Sequence, residues 1–247
     1  MLKITGMLSL MLFGLATSGL VYAAPFDVVN NPARSLADRE RDKTSKPNAV
    51  LNFIGLKSGM KVLDLFSGGG YYTEILSYAV SPDGQVISHT NAAYEGITGE
   101  EAASRFKDKR LPNVRRLISE INNLRLEDSS LDVVLMVLVY HDIYFTADYW
   151  PVVNRDNFFR QIHGSLKPGG VLVVIDHSAM ADTGMNAAQI LHRIDEVFAK
   201  QDIESAGFVF DSASQVLRNP GDTRALSVFD ETIRKKTDRF IYRFIKP

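Results

Sequence analysis

The run Lys61-Val-Leu-Asp64-Leu-Phe66-Ser67-Gly68-Gly69-Gly70-Tyr71-Tyr72-Thr73 joins a short β-rich segment to three glycines and then to a stretch with helical spacing. A strand that ends in a glycine turn and feeds a helix opens a β–α unit. Glycines at that turn let the backbone pass close to a ligand and leave the first helical N–H groups pointing at it. A tight strand-to-helix turn also uses glycine for structure alone, but three in succession after the in-strand Asp64 favour a binding loop.

Working outward, the same rhythm recurs. Pro32 to Asn48 is polar and charge-rich and reads as a surface helix or an N-terminal arm. Pro47 suits the first turn of a helix carrying Val50, Leu51 and Ile54 on one face, and Gly59 ends it. Tyr71 to Val80 reads as a helix and Gln85 to Thr90 as a strand. Thr98-Gly-Glu-Glu101 has the form of a capping box that opens a helix. Val114 to Ser119 reads as a third strand. Leu131 to Val139 is nearly all apolar, as a central parallel strand buried on both faces must be. Asn154 to Leu166 reads as a helix, with a Lys167-Pro-Gly-Gly170 turn behind it and a buried strand from Val171 to Ile175. One long helix is expected from Met185 to Ile203, then a strand at Phe208-Val-Phe210. Arg239 to Ile245 alternates polar and apolar residues, as an edge or antiparallel strand does. Repeated β–α units with no internal repeat predict a single α/β domain built on a doubly wound, Rossmann-like sheet.

Composition narrows the function classes. The 247 residues carry 28 Lys+Arg against 29 Asp+Glu, a net charge of −1 that gives no reason to expect a nucleic-acid or anionic-membrane partner. There is no cysteine, which removes disulfides, thiolate metal sites, thiol nucleophiles and lipid-modified cysteine anchors. Any acid–base chemistry falls to the five His and the carboxylates. Met1 to Ala23 has a basic start at Lys3, an apolar block and a small-residue end at Val21-Tyr22-Ala23. That is the form of a secretory signal, and the block is too short and interrupted for a membrane span of ~20 residues. Residues 24–247 are expected to form the mature domain, exported to the periplasm, with no stable membrane insertion after cleavage.

In a doubly wound sheet, ligands bind beyond the carboxyl ends of the strands near the switch point beside the first one. A dinucleotide fingerprint wants a third glycine where Thr73 stands and an acid near the end of strand two, where His89-Thr90-Asn91 stands. No Gly-Lys-Ser/Thr follows the loop, so a Walker loop is absent. The Asp-x-x-x-Gly-x-Gly string Asp64 to Gly70 instead resembles motif one of the class I S-adenosylmethionine-dependent methyltransferases. Lys57 to Asp64 is similar to that family's lead-in, Asn123 to Val134 to its approach to strand four, and Leu166 to Leu172 to its turn before strand five. The ordered set covers about Asn48 to Asp176. More narrowly, Gly68-Gly-Gly-Tyr-Tyr-Thr73, Tyr140-His141-Asp142, Asp176-His177-Ser178-Ala179 and the export signal resemble a group of exported bacterial methyltransferases predicted from sequence.

The resemblance implies a seven-stranded sheet with its last strand antiparallel and S-adenosylmethionine as cofactor. It places Ser67, Gly68, Gly69 and Gly70 against the methionine portion and ribose, with Asp64 organising the loop. Thr90 or Asn91 would face the ribose hydroxyls, Glu120 would accept from the adenine amino group, and Ile121 would pack on the ring. Tyr72 and Val139 complete the implied cofactor set; core packing is the competing role for one of Tyr71 and Tyr72. Two departures stand out: Phe66 replaces the family's usual first glycine, and the ribose carboxylate after strand two is missing. Asp64-Leu-Phe-Ser-Gly68 also resembles the cytosine-C5 DNA methyltransferases, which need the cysteine this chain lacks.

Tyr140-His141-Asp142 and Asp176-His177 end neighbouring strands, which brings four titratable groups to one rim of the pocket. His141 is the first choice as base or acceptor-orienting group, with Asp142, Asp176 and His177 shaping the polarity around it. The competing readings are structural caps or a divalent metal held by the two His and two Asp. His192, Arg193 and Asp195 are expected to pair on a helix surface, with reach to the pocket mouth as the alternative. The function expected is methyl transfer to a small-molecule or protein acceptor in the cell envelope. The rival is a non-catalytic envelope binding protein that kept the fold.

Overall fold

The structure is a computed structural model that describes residues 28–247, so the predicted export signal lies outside the described residues. Helices α1 (Leu36–Ser45) and α2 (Pro47–Ile54) precede strand β1 (Lys61–Leu65), helix α3 (Tyr71–Val80) and strand β2 (Gln85–Thr90). Helix α4 (Ala92–Arg105), strands β3 (Val114–Ile118) and β4 (Leu131–Val137), helix α5 (Arg155–Ser165) and strand β5 (Leu166–His177) follow. The short helix α6 (Ala188–Leu191), helix α7 (Glu196–Ser205) and strands β6 (Val209–Ser214) and β7 (Arg239–Ile245) complete the chain.

The seven strands form one sheet in the order β3-β2-β1-β4-β5-β7-β6. Strands β1 to β5 are parallel, and β7 runs antiparallel to both β5 and β6. Alternation along each strand divides the core between the two faces. Val62, Val133 and Leu135 pack with Val50, Leu51, Ile54, Ile75 and Leu76 on one side. Leu63, Leu65, Val134 and Met136 pack with Phe158, Phe159 and Ile162 on the other.

The N-terminal arm is not a free surface helix. Arg105 at the end of α4 donates to Asp38 of α1 at 2.6 Å and to Glu74 of α3 at 2.5 Å. Asp42 of α1 accepts from Arg34 at 2.5 Å and from the Tyr71 hydroxyl at 2.6 Å. Charges that are nine-tenths buried hold only when paired, so this network ties α1 to α3 and α4.

Several element boundaries differ from expectation, each for a local reason. Helix α4 opens directly after β2 because the Asn91 side chain accepts from Tyr94 N at 3.0 Å. Thr98 therefore lies inside the helix, its hydroxyl donating back to Tyr94 O at 2.9 Å, and the capping-box pattern caps nothing. The predicted helix from Met185 to Ile203 is interrupted between α6 and α7. His192 takes a left-handed φ of 52°, the backbone of Ile194 bonds to His177 and Ala179, and Asp195 caps α7. The cause is Arg193, fully buried, with its guanidinium on Asp222, Ser178 O and Leu226 O. Lys167-Pro-Gly-Gly170 bulges within β5 as its pairing with β4 shifts register. Strand β7 is antiparallel as predicted but internal, and β6 takes the edge. Among the described residues no helix is long and apolar enough to cross a membrane.

Candidate active site

Strand β1 delivers Phe66, Ser67 and the three glycines to the end of the sheet. Phe66, Gly68 and Gly70 all have positive φ, at 55°, 55° and 83°. For Phe66 this is a strained backbone, held because its N–H reaches His89 Nδ1 at 3.4 Å and its ring is caged. The ring lies 4.9 Å from His89, 5.7 Å from Tyr94 and 5.7 Å from Trp150 between centroids. Ser67 is anchored to β2 through His89 O at 2.8 Å and the Ser88 hydroxyl at 2.7 Å. Gly70 is needed for space as well as for its φ, since a Cβ there would come within 2.8 Å of the Phe106 ring, whereas one at Gly69 would meet only the carboxylate end of Glu101. Asp64 is fully buried and accepts from the Thr73 hydroxyl at 2.6 Å, which ties β1 to the first turn of α3. Burial pushes its pKa up to about 7.

At the end of β2, the Thr90 hydroxyl turns back to Asn91 O at 3.4 Å and is buried. Asn91 spends its oxygen on the α4 cap, and its Nδ2 is buried without a partner. Glu120 is exposed after β3 and accepts from Ala92 N at 3.3 Å, while Ile121 beside it is buried. Val139 is buried in the core next to this region. Tyr72 does not join them. It packs edge-on to Tyr71 at 5.1 Å, and its hydroxyl donates to Ser45 O at 3.5 Å under the arm. The α3 periodicity that places Thr73 on Asp64 turns both tyrosines toward α1 and α2, so Tyr72 is a core residue.

The four rim residues come together as expected. Leu138, at φ 59°, ends β4 and leads into a 3-10 turn over His141–Tyr144. Asp176, fully buried at the end of β5, accepts from His141 N at 2.8 Å and from His141 Nδ1 at 2.9 Å. Asp142 accepts from the Tyr94 hydroxyl at 2.7 Å through Oδ2, and its Oδ1 lies 3.3 Å from His141 Nε2. His177 is held through Nδ1 by the Thr237 hydroxyl at 2.6 Å.

Burial alone would lower the His141 pKa, but the carboxylates of Asp176 and Asp142 outweigh it and push it up to about 9. His177 goes the other way, because burial dominates and pushes it down to about 3. Burial also raises the Asp142 carboxyl. The two carboxylates thus favour proton uptake at His141, which suits a group that orients an acceptor.

A cavity of about 340 Å³ opens above this rim, lined by Tyr94, Leu138, Tyr149, Trp150, Phe145 and Phe229 around the polar His141, Asp142, His177 and His192. Its aromatic walls were not singled out from sequence: Tyr94, Phe145, Tyr149, Trp150 and Phe229. For His192 the alternative reading holds: it reaches the cavity, its Nδ1 3.9 Å from Asp142 Oδ1 and its ring 5.4 Å from His141. The only sequence signal for the aromatics was rarity, since Trp150 is the single tryptophan.

A parallel sheet of this order, closed by one antiparallel strand and carrying a glycine loop after its central strand, defines the class I S-adenosylmethionine-dependent methyltransferase fold. Residues 56–207, more than half of the chain, match the family described as a methyltransferase domain, and the chain belongs to that family. It is 30% identical over 146 residues to a demethylmenaquinone methyltransferase from Lactococcus lactis, covering 54% of this chain and 53% of that one. It is 25% identical over 138 residues to a ubiquinone/menaquinone biosynthesis C-methyltransferase from Idiomarina loihiensis, covering 56% and 50%. The chain thus spans about half the length of these curated relatives. A methyltransferase structure from Aquifex aeolicus superposes with a TM-score of 0.62 at 22% identity, covering 84% of this chain and 93% of that one.

S-adenosylmethionine is the cofactor of this class, and the residues present fit it. The bare Cα of Gly69 faces space now taken by the flexible end of Glu101, an exposed side chain held there by Arg105 at 3.1 Å. The unpartnered Nδ2 of Asn91 is a donor suited to a ribose oxygen, and the Glu120 carboxylate is an acceptor suited to the adenine amino group.

Proposed function

We propose that the protein transfers the methyl group of S-adenosylmethionine to a small aromatic acceptor held in the rim cavity, and that it does so in the cell envelope. The observation that carries this reading is Tyr94. Its ring packs on Phe66 of the glycine-loop strand, and its hydroxyl binds Asp142 in the cavity, so one residue joins the two halves of the site. When bound, the cofactor supplies an electrophilic methyl group on a cationic sulfonium. Methyl transfer needs in-line placement more than covalent help, and the chain's residues supply placement.

Phe145, Tyr149, Trp150 and Phe229 form walls that sandwich a planar apolar body and exclude water. His141, held on both its backbone and Nδ1 by Asp176, and Asp142, held by Tyr94, fix a polar substituent at the floor. The volume of about 340 Å³ suits a single- or double-ring compound and is small for a protein side chain with its backbone. Two of the relatives are named for demethylmenaquinone and for ubiquinone/menaquinone biosynthesis, and a quinone-type ring matches such walls. Export rests on the secretory form of Met1 to Ala23. Fractionation of the producing cell tests it: a shortened chain outside the cytoplasm is expected, and a full-length cytoplasmic chain contradicts it.

The non-catalytic alternative is favoured by the caged Phe66, which stands where the family has glycine. Incubation with methyl-labelled S-adenosylmethionine and a panel of hydroxylated naphthalene and benzene rings separates the two. Labelled ring product supports transfer, whereas binding of rings without label in any of them supports the alternative.

A further inference from the structure

The rim cavity holds a second constellation, which shares His141 and Asp142 with the acceptor floor and adds His192. His141 Nε2, Asp142 Oδ1 and His192 Nδ1 lie within 4.8 Å of one another and face the same space. We propose that these three residues form a binding site for a divalent transition-metal ion, with open coordination positions toward the cavity.

The outer contacts of each residue already point the right atom inward. His141 spends Nδ1 on the buried Asp176 at 2.9 Å, which leaves Nε2 as the ligand atom. A carboxylate behind an imidazole is the usual outer partner of a metal-bound histidine, where it fixes the tautomer and the ring plane. Asp142 spends Oδ2 on the Tyr94 hydroxyl at 2.7 Å, which leaves Oδ1 free. That oxygen is 3.3 Å from His141 Nε2 and 3.9 Å from His192 Nδ1. Metal bonds of about 2.0–2.2 Å place neighbouring ligand atoms roughly 3.0–3.5 Å apart, so only a small inward turn of His192 closes the triangle.

His192 is positioned at some cost. It has a left-handed φ of 52° at the break between α6 and α7, and its ring is wedged at 4.8 Å from both Phe145 and Phe229. Strained non-glycine residues concentrate at functional sites, and this one brings a second imidazole to the cavity. Two imidazoles and one carboxylate on one face leave the opposite positions open. A cavity ligand with one or two oxygen donors would complete the shell. Imidazole-rich sites with a single carboxylate suit zinc, iron(II) and related ions over magnesium or calcium.

The site does not depend on methyl transfer and is tested apart from it. The full protein is stripped with a chelator, dialysed against Zn²⁺ and, separately, Mn²⁺, and its metal content and affinity are measured. One Zn²⁺ per chain is expected. His192→Ala, at the partly buried rim, is expected to weaken binding by more than about 100-fold, beyond the 10–100-fold typical of losing only an outer partner. Asp142→Asn keeps an acceptor for Tyr94 and is also expected to weaken it, whereas His163→Ala, outside the cavity, leaves binding unchanged. Melting temperatures of the variants establish that they fold. Absence of metal binding by the stripped and reloaded protein overturns the proposal, as does stoichiometric binding that survives both cavity substitutions. Titration of S-adenosylmethionine into the same samples reports on the methyl-transfer reading alone.

Discussion

Asp64 is an acid that the native protein prefers to keep neutral. Its folded pKa of about 7 lies above the ordinary 3.8, so between those pH values the unfolded chain ionises while the native one stays protonated. Stability is thereby lost as pH rises through that window, by up to about 4 kcal/mol in the limit. Asp64→Asn is expected to raise the melting temperature at pH 8 relative to the parent and to change it little at pH 4, read by thermal unfolding without cofactor. His89 works in the opposite direction. Burial between Phe66 and Ser119 lowers its pKa from 6.5 to about 4, so its contribution is complete above pH 6.5 and fades as pH falls through 4. A loss of about 3 kcal/mol across that range is expected from this group in urea unfolding series. Phe66→Gly removes both a caged ring and a left-handed non-glycine backbone. It is expected to cost about 3 kcal/mol of stability and to tighten cofactor binding, because the loop regains the family's glycine. Weaker cofactor binding in that variant would show that the ring is part of the cofactor surface.

The strands were the most legible elements, because burial on both faces leaves unbroken apolar runs such as Val133 to Val137 and glycine turns mark several of their ends. Helix boundaries were less so. Asn91 and Thr98 both carry capping chemistry, and only the end of β2 decides which of them has free N–H groups to satisfy. The break at His192 was invisible for a related reason. Arg193 reads as a surface charge until Asp222, 29 positions away, is brought beneath it. The glycine loop and the His141–Asp142 and Asp176–His177 pairs were legible because they sit at strand ends in a fixed order. The aromatic walls were not, since Tyr94, Trp150 and Phe229 come from three segments that only tertiary packing unites. At this scale the arm is a structural element. Arg105→Ala is expected to destabilise the protein by about 3–5 kcal/mol by leaving Asp38 an unpaired buried charge and Glu74 with Arg110 as its remaining cation, measured by chemical denaturation.

Across the whole molecule, the sheet brings a glycine loop, an unpartnered amide and an aromatic-lined cavity to one edge, and the family match covers most of the chain that builds them. The central claim is that this edge binds S-adenosylmethionine. Trp150 is the single tryptophan and touches both Phe66 and Tyr94, so its fluorescence reports directly on the loop and the cavity. Titration of the protein with S-adenosylmethionine, followed by that fluorescence and by calorimetry, is the most direct test. Saturable one-to-one binding with a change in Trp150 emission is predicted, and it should weaken when Gly69→Val fills the loop. A flat calorimetric trace with unchanged emission, for both the cofactor and its demethylated product, would contradict the account.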